Sequence, residues 1–275
     1  MSEIIWRPTP DYVDGSNIHR LMSRYGIQSY DEMVRRSLDD VEWYWSQVER
    51  DLGLEWIRPY DRVLDVHQGI EWATWFTGGQ INIAGNCVDR HAAGEAADRT
   101  ALIDEREDGT SRSVTYRELA AEVGRLANGL RSLGVGKGDP VGVYLPMSIE
   151  GVVAMLAIAK IGAIYLPIFS GFASSAVAAR LQDAGAKVLI SADGYRHRGR
   201  LVAMKEAADE AAHAIHLHKT IILRHANREV EWHRKHDVIW DELVAGQPEE
   251  AATENSQFSS GLPFGMGVSD QAEPS

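Results

Sequence analysis

Leu119, Val123, Leu126, Leu130 and Leu133 recur at spacings of four and three, the period of one helical face. Just before the first of them, Thr115-Tyr116-Arg117-Glu118 has the form of a capping box, whose hydroxyl and carboxylate satisfy free amides of the first turn. Gly134 follows the last leucine and predicts a left-handed helix end. After the Gly136-Lys137-Gly138-Asp139 turn, the unbroken apolar run from Val141 to Leu145 predicts a buried strand. The alternation then repeats. Ser148 caps a helix to about Lys160, Ala163 to Ile168 is a strand, Ser174 to Ala184 a helix and Lys187 to Ser191 a strand. Arg200 to Ala214 reads as a helix and Thr220 to Leu223 as a further strand. Strands that are apolar on both faces, separated by helices, predict a parallel sheet covered on both sides. Right-handed crossovers make this an α/β fold with a doubly wound parallel sheet flanked by helices.

The flanks differ. Residues 1–92 carry Trp6, Trp43, Trp45, Trp56, Trp72 and Trp75 among short helical pieces, of which Ser37 to Asp51 is the clearest. No repeated strand pattern closes a core there, so this amino-terminal extension is expected to wrap a body and dock its aromatics on it. Residues 93–245 hold the regular alternation. Residues 246–275 turn to Gln, Glu, Ser, Gly and Pro, and are expected to be a disordered carboxy-terminal tail, because they bury too little to offset their ordering entropy.

Composition narrows the function classes. The 275 residues are 44% hydrophobic and 25% charged, as in soluble globular proteins, which excludes a peptide hormone, a disulfide mini-protein and a coiled-coil rod. Lys and Arg number 28 against 40 Asp and Glu, and the net charge of −12 disfavours nucleic acid and anionic membrane as partners. Any anion site is therefore local. Cys87 is the single cysteine and has no internal partner, which suits a reducing, cytoplasmic setting. Met1 to Pro10 lacks the pattern of a secretory signal. Ile149 to Phe169 is long enough to span a bilayer, but Glu150, Lys160 and Pro167 interrupt it, and it reads as a helix running into a strand.

In an open parallel sheet, ligands bind outside the carboxyl ends of the strands, which selects the loops after Leu145, Ile168 and Ser191. Phe169-Ser170-Gly171-Phe172 offers small residues and a following helix start, and reads either as a ligand loop or as a plain strand-to-helix turn. Asp193-Gly194-Tyr195-Arg196-His197-Arg198-Gly199-Arg200 gathers three arginines and a histidine in an acidic chain. Forked guanidiniums suit a phosphate, while a solvated charged turn is the alternative. His213, His216, His218, His233 and His236 lack the His-Glu-x-x-His spacing of a metal site. Neither a Gly-x-Ser-x-Gly elbow nor a phosphate loop ending in Gly-Lys-Ser/Thr occurs.

Trp75-Phe76-Thr77-Gly78-Gly79-Gln80-Ile81-Asn82-Ile83-Ala84-Gly85-Asn86-Cys87-Val88-Asp89-Arg90-His91 resembles the amino-terminal region of acetyl-CoA synthetases and related AMP-forming acyl-CoA ligases of the adenylate-forming superfamily. The resemblance continues in order through Thr115 to Leu119, Gly134 to Asp139, Tyr144 to Met147, Ala163 to Phe172 and Ala192 to Lys205. It implies an enzyme that joins a short carboxylate to ATP with Mg²⁺, then passes the acyl group to CoA, its co-substrate. By the same resemblance, Phe169, Gly171 and Phe172 match a CoA-contacting loop, with Ser170 in place of its first glycine. Gly199 and Arg200 match an arginine segment that meets CoA phosphates; its other arginine falls at His197, between Arg196 and Arg198. The family's Lys-bearing phosphate loop would begin soon after Leu243, yet Phe258 to Gly267 shares only its small residues. The expectation is the first portion of such a ligase, truncated and inactive alone, able to self-associate or to pair with the missing portion. The alternative is a non-catalytic degenerate ligase that binds CoA weakly or serves as an interaction protein.

Overall fold

The computed structural model describes residues 5–257, which divide into two units. The first comprises residues 5–55 and 59–79; the second comprises residues 56–58 and 80–257.

In the first unit, the expected helix from Ser37 to Asp51 is two helices, Tyr30–Asp39 and Val41–Leu52. The break falls at Asp40, whose side chain leaves the helix to accept the Trp43 amide as an N-cap. Leu21, Ile27 and Met33 form a small core with Tyr25, Trp43 and Tyr44 around it. The Arg36 guanidinium stacks 3.6 Å above the Trp43 ring. Trp45 meets Trp75 edge-on at 6.0 Å, and Trp75 lies on a strand, Thr74–Thr77, paired antiparallel with Arg62–Asp65. The aromatics expected to dock on a separate body thus pack in part on one another, which corrects the picture of an extension without a core of its own.

The second unit is built on five parallel strands: β1 (Pro140–Tyr144), β2 (Ile164–Pro167), β3 (Val188–Ala192), β4 (Lys219–Leu223) and β5 (Asp237–Ile239). Their order across the sheet is β5-β4-β3-β1-β2. The helices are α1 (Tyr116–Ser132), α2 (Ile149–Lys160), α3 (Ser174–Asp183), α4 (Lys205–Ala214) and α5 (Trp240–Val244). The doubly wound sheet is as the periodicity predicts. Leu126, Leu130, Ile190 and Ile221 are fully buried in one core. The capping box forms at the start of α1, and Ser148 caps α2. No helix among the described residues is long and apolar enough to cross a membrane.

The winding reverses between β1 and β3: β1 leads outward to β2, whereas β3 returns to the other side of β1. That switch point leaves the loops after β1 and β3 facing an open crevice, the usual ligand position in such sheets.

Two readings are corrected here. Arg200 to Ala203 is a strand, not the start of a helix: it pairs antiparallel with Gly194–His197, and α4 begins only at Lys205. The two strands of this hairpin meet at Arg198 and Gly199, which have positive φ of 53° and 73°, a turn that glycine favours and that a helix excludes. The second correction concerns the tail. Residues 248–252 lie along α1, where Asn128 Nδ2 donates to the carbonyls of Pro248 and Glu250 at 2.9 and 3.0 Å, and beyond it Asn82 Nδ2 donates to that of Glu254 at 2.7 Å. Ser256–Gln257 then pairs antiparallel with Gln80–Ile81. The remaining expectation of disorder falls on 258–275, outside the described residues.

Candidate functional site

At the carboxyl edge of the sheet lies an open cleft of about 530 Å³. Its floor comes from the loops that follow four strands: Pro146 and Met147 after β1, Phe169 and Ser170 after β2, Tyr195 to His197 after β3, and His225 to Asn227 after β4. The opposite wall is Asp104 to Asp108, at the tip of an antiparallel hairpin formed by Thr100–Glu105 and Ser111–Thr115. Three of these loops are those that the strand pattern selects. The fourth loop and the hairpin tip are not singled out in the sequence, whose strand pattern is followed only from Val141 onward.

Asp193 organises the floor. It is fully buried, and its Oδ1 accepts the amides of Gly194, His225 and Ala226, each at 2.8 Å. Its Oδ2 accepts the Arg228 amide at 3.0 Å, and its carbonyl accepts Arg228 Nε at 2.7 Å. One carboxylate therefore fixes the loop after β4 to the end of β3, offsetting its desolvation with charge-assisted hydrogen bonds. The Arg228 guanidinium also reaches Glu206. Above this network, burial lowers the basicity of His225, with Arg106 adding to the effect and Glu150 opposing it.

The Phe169 to Phe172 loop closes on itself. The Phe172 amide donates to the Phe169 carbonyl at 3.0 Å, and the Tyr144 hydroxyl donates to the Phe172 carbonyl at 2.9 Å. The two phenylalanine rings meet edge-on at 5.6 Å, while Arg180 stacks on Phe172 at 4.3 Å. A Cβ on Gly171 would come within 2.7 Å of the Phe169 ring, so glycine is required for the ring's position. Phe169 itself remains 68% exposed, an apolar ring presented to the cleft without a partner on its outer face.

Of the residues singled out in the sequence, Phe169 and Arg196 line the cleft, and Ser170 and His197 stand beside them. Gly171 and Phe172 support the loop from behind. Arg198, Gly199 and Arg200 are exposed at the far end of the hairpin and do not line the cleft wall. There the Glu107 carboxylate accepts the amides of Arg198 and Gly199 at 2.7 and 3.1 Å. These two amide hydrogen bonds hold the Glu107 carboxyl below the usual glutamate range. His197 Nδ1 lies 3.8 Å from the same carboxylate.

The histidines converge elsewhere. His213, His216, His233 and His236 line a second cavity together with Asp209 and Asp237. Among the described residues, no three His, Cys, Asp or Glu side chains are close enough to hold a metal ion.

The sequence family described as "AMP-binding enzyme" matches residues 88–261, and that described as "Acetyl-coenzyme A synthetase N-terminus" matches residues 30–87. The chain is similar to an acetyl-coenzyme A synthetase of Thiobacillus denitrificans, with 40% identity over 248 residues, 89% of this chain and 36% of that protein. An acetyl-coenzyme A synthetase of Burkholderia lata is 35% identical over 255 residues, 92% of this chain and 38% of that protein. In three dimensions, an acetoacetyl-CoA synthetase from Streptomyces lividans superposes with a TM-score of 0.84 and 28% identity, covering 93% of this chain and 40% of that one. The chain thus spans well under half the length of the relatives it matches.

Proposed function

Because the chain belongs to the AMP-binding enzyme family, we propose that its 275 residues supply the CoA-facing part of an AMP-forming acid–CoA ligase. In the complete reaction, a carboxylate oxygen attacks the α-phosphorus of ATP and expels pyrophosphate. The CoA thiolate then attacks the acyl carbon and expels AMP. Both steps set anions against anions, so positioning and positive charge carry most of the catalysis. Groups that hold the triphosphate are assigned to the part of the relatives' length that these residues do not span, and acetate, the substrate that the relatives' names imply, is assigned with them.

The single observation that carries the reading is that an exposed apolar ring, Phe169, and Arg196 of the arginine hairpin line one cleft at the carboxyl edge of the sheet. CoA has matching chemistry: an apolar pantetheine arm and adenine for the ring, and three phosphates for Arg196 in the cleft and for Arg198 and Arg200 on the exposed turn beyond it. Exposed guanidiniums attract phosphate without a deep pocket, which fits weak, salt-sensitive binding. Hydrogen–deuterium exchange of the chain with and without CoA tests this. Slowed exchange is expected in 169–172 and 195–200 and unchanged exchange in the helices of 30–52. Protection confined to other segments would remove the reading.

A further inference from the structure

The Arg198–Gly199 turn presents two successive amide N–H groups on the same side, a concavity that binds anions through the backbone. The Arg198 guanidinium adds positive charge near it, and Arg196 and Arg200 flank the turn along the chain. Its occupant in the free chain is not solvent but Glu107, from a hairpin 91 residues earlier in the chain, with one carboxylate oxygen on each amide. A carboxylate held by two N–H donors near a guanidinium has the contacts of one edge of a phosphate.

We propose that the Arg198–Gly199 turn is a phosphate seat that the free protein fills with its own Glu107 carboxylate, so that a phosphate monoester enters only by displacing it. The proposal rests on the reading of this hairpin as phosphate-binding and adds to it an internal competitor. The competitor has three consequences. It keeps the turn ordered without ligand, because the carboxylate satisfies both amides. It lowers apparent affinity by the fraction of time Glu107 is seated. It ties the ligand state to the acidic hairpin tip, since displacing Glu107 breaks the two hydrogen bonds by which that tip holds the turn.

The test is an amide NMR titration of the full 275-residue chain and of Glu107→Ala, Glu107→Gln and Glu105→Ala. Glu105 lines the same cleft and carries an equal charge but does not hold the turn amides. The probes are CoA and inorganic phosphate, followed at the Arg198 and Gly199 signals. The expected result is half-saturation by CoA at a concentration about two- to fivefold lower in Glu107→Ala, the range of a single exposed charge contact. Glu107→Gln should fall between wild type and Glu107→Ala, and Glu105→Ala should change less than either. Equal gains in Glu105→Ala and Glu107→Ala would reduce the effect to overall charge and overturn the proposal. Unchanged or weaker CoA binding in Glu107→Ala would also overturn it, making Glu107 a brace for the turn while the CoA reading stands. If CoA moves neither signal in any form but phosphate does so more tightly in Glu107→Ala, the CoA reading fails and the seat survives. If neither ligand moves the signals, both fail.

Discussion

The Asp193 carboxylate accepts the backbone amide of His225 at 2.8 Å, joining the ends of β3 and β4 beneath the cleft. Four amides converge on this one fully buried group, so its charge and both its oxygens are in use. In Asp193→Asn one oxygen becomes an amide nitrogen that faces N–H donors, and the negative charge is lost. A loss of about 2 to 3 kcal/mol is expected, from hydrogen bonds to a charged acceptor and the donors left unpaired. Urea unfolding of the variant measures it, and a change within experimental error would show that the loop after β4 is held by other contacts.

Gly124 lies where α1 meets the chain at residue 249. A Cβ there would overlap the Glu249 carbonyl oxygen, which is backbone and cannot rotate away. Gly124→Ala should therefore lift residues 247–254 from α1, although alanine favours the helix itself by up to about 1 kcal/mol. Amide exchange at Glu254, whose N–H is bonded to the Lys160 carbonyl at 2.8 Å, should accelerate. Unaltered protection at that amide would mean that the segment adapts without leaving.

The parallel sheet was legible because its strands are apolar on both faces and its helices carry caps in plain view, Thr115 and Ser148 among them. Three loops of the cleft followed from topology alone. The arginine hairpin was misread because Arg200 to Ala203 runs directly into α4, and nothing in a local window marks the positive-φ turn at a non-glycine, Arg198. The seating of residues 246–257 was invisible for a different reason. Its hydrogen bonds come from Asn82, Asn128 and Arg131, more than 100 residues away, so a polar stretch with few apolar side chains reads as disordered by composition. Glu107 was missed likewise, its partners being fixed by tertiary contact alone.

The hydrogen bonds to Glu107 set a pH dependence with a definite sign. Its carboxyl is held low by the Arg198 and Gly199 amides, so the contact is intact above the ordinary glutamate range and is lost as pH falls through the lowered value. The Gly199 amide signal should titrate with a midpoint below that of an exposed glutamate. A midpoint at the ordinary value would contradict the two-amide contact.

The 275-residue chain alone is not expected to catalyse acetate-dependent exchange between ATP and pyrophosphate. It spans 36% of the Thiobacillus denitrificans relative, and the groups that hold the triphosphate are assigned to the length it does not span. Losing even one donor to a developing oxyanion typically costs about 10²- to 10³-fold in rate. Radiolabelled pyrophosphate incorporation above a no-enzyme control would contradict this.

The proposed function depends above all on recognition of CoA phosphate by the arginine hairpin. The most direct measurement is calorimetric titration of CoA and dephospho-CoA, which lacks the ribose phosphate, into wild type and into the Arg198→Ala/Arg200→Ala double variant. Wild type should bind CoA more tightly, by roughly fivefold for an exposed charge contact, and the margin should shrink as salt is raised. The double variant should bind both ligands equally and weakly. Equal affinity of wild type for the two ligands, or a preference that survives in the double variant, would contradict the claim and leave the hairpin a solvated turn.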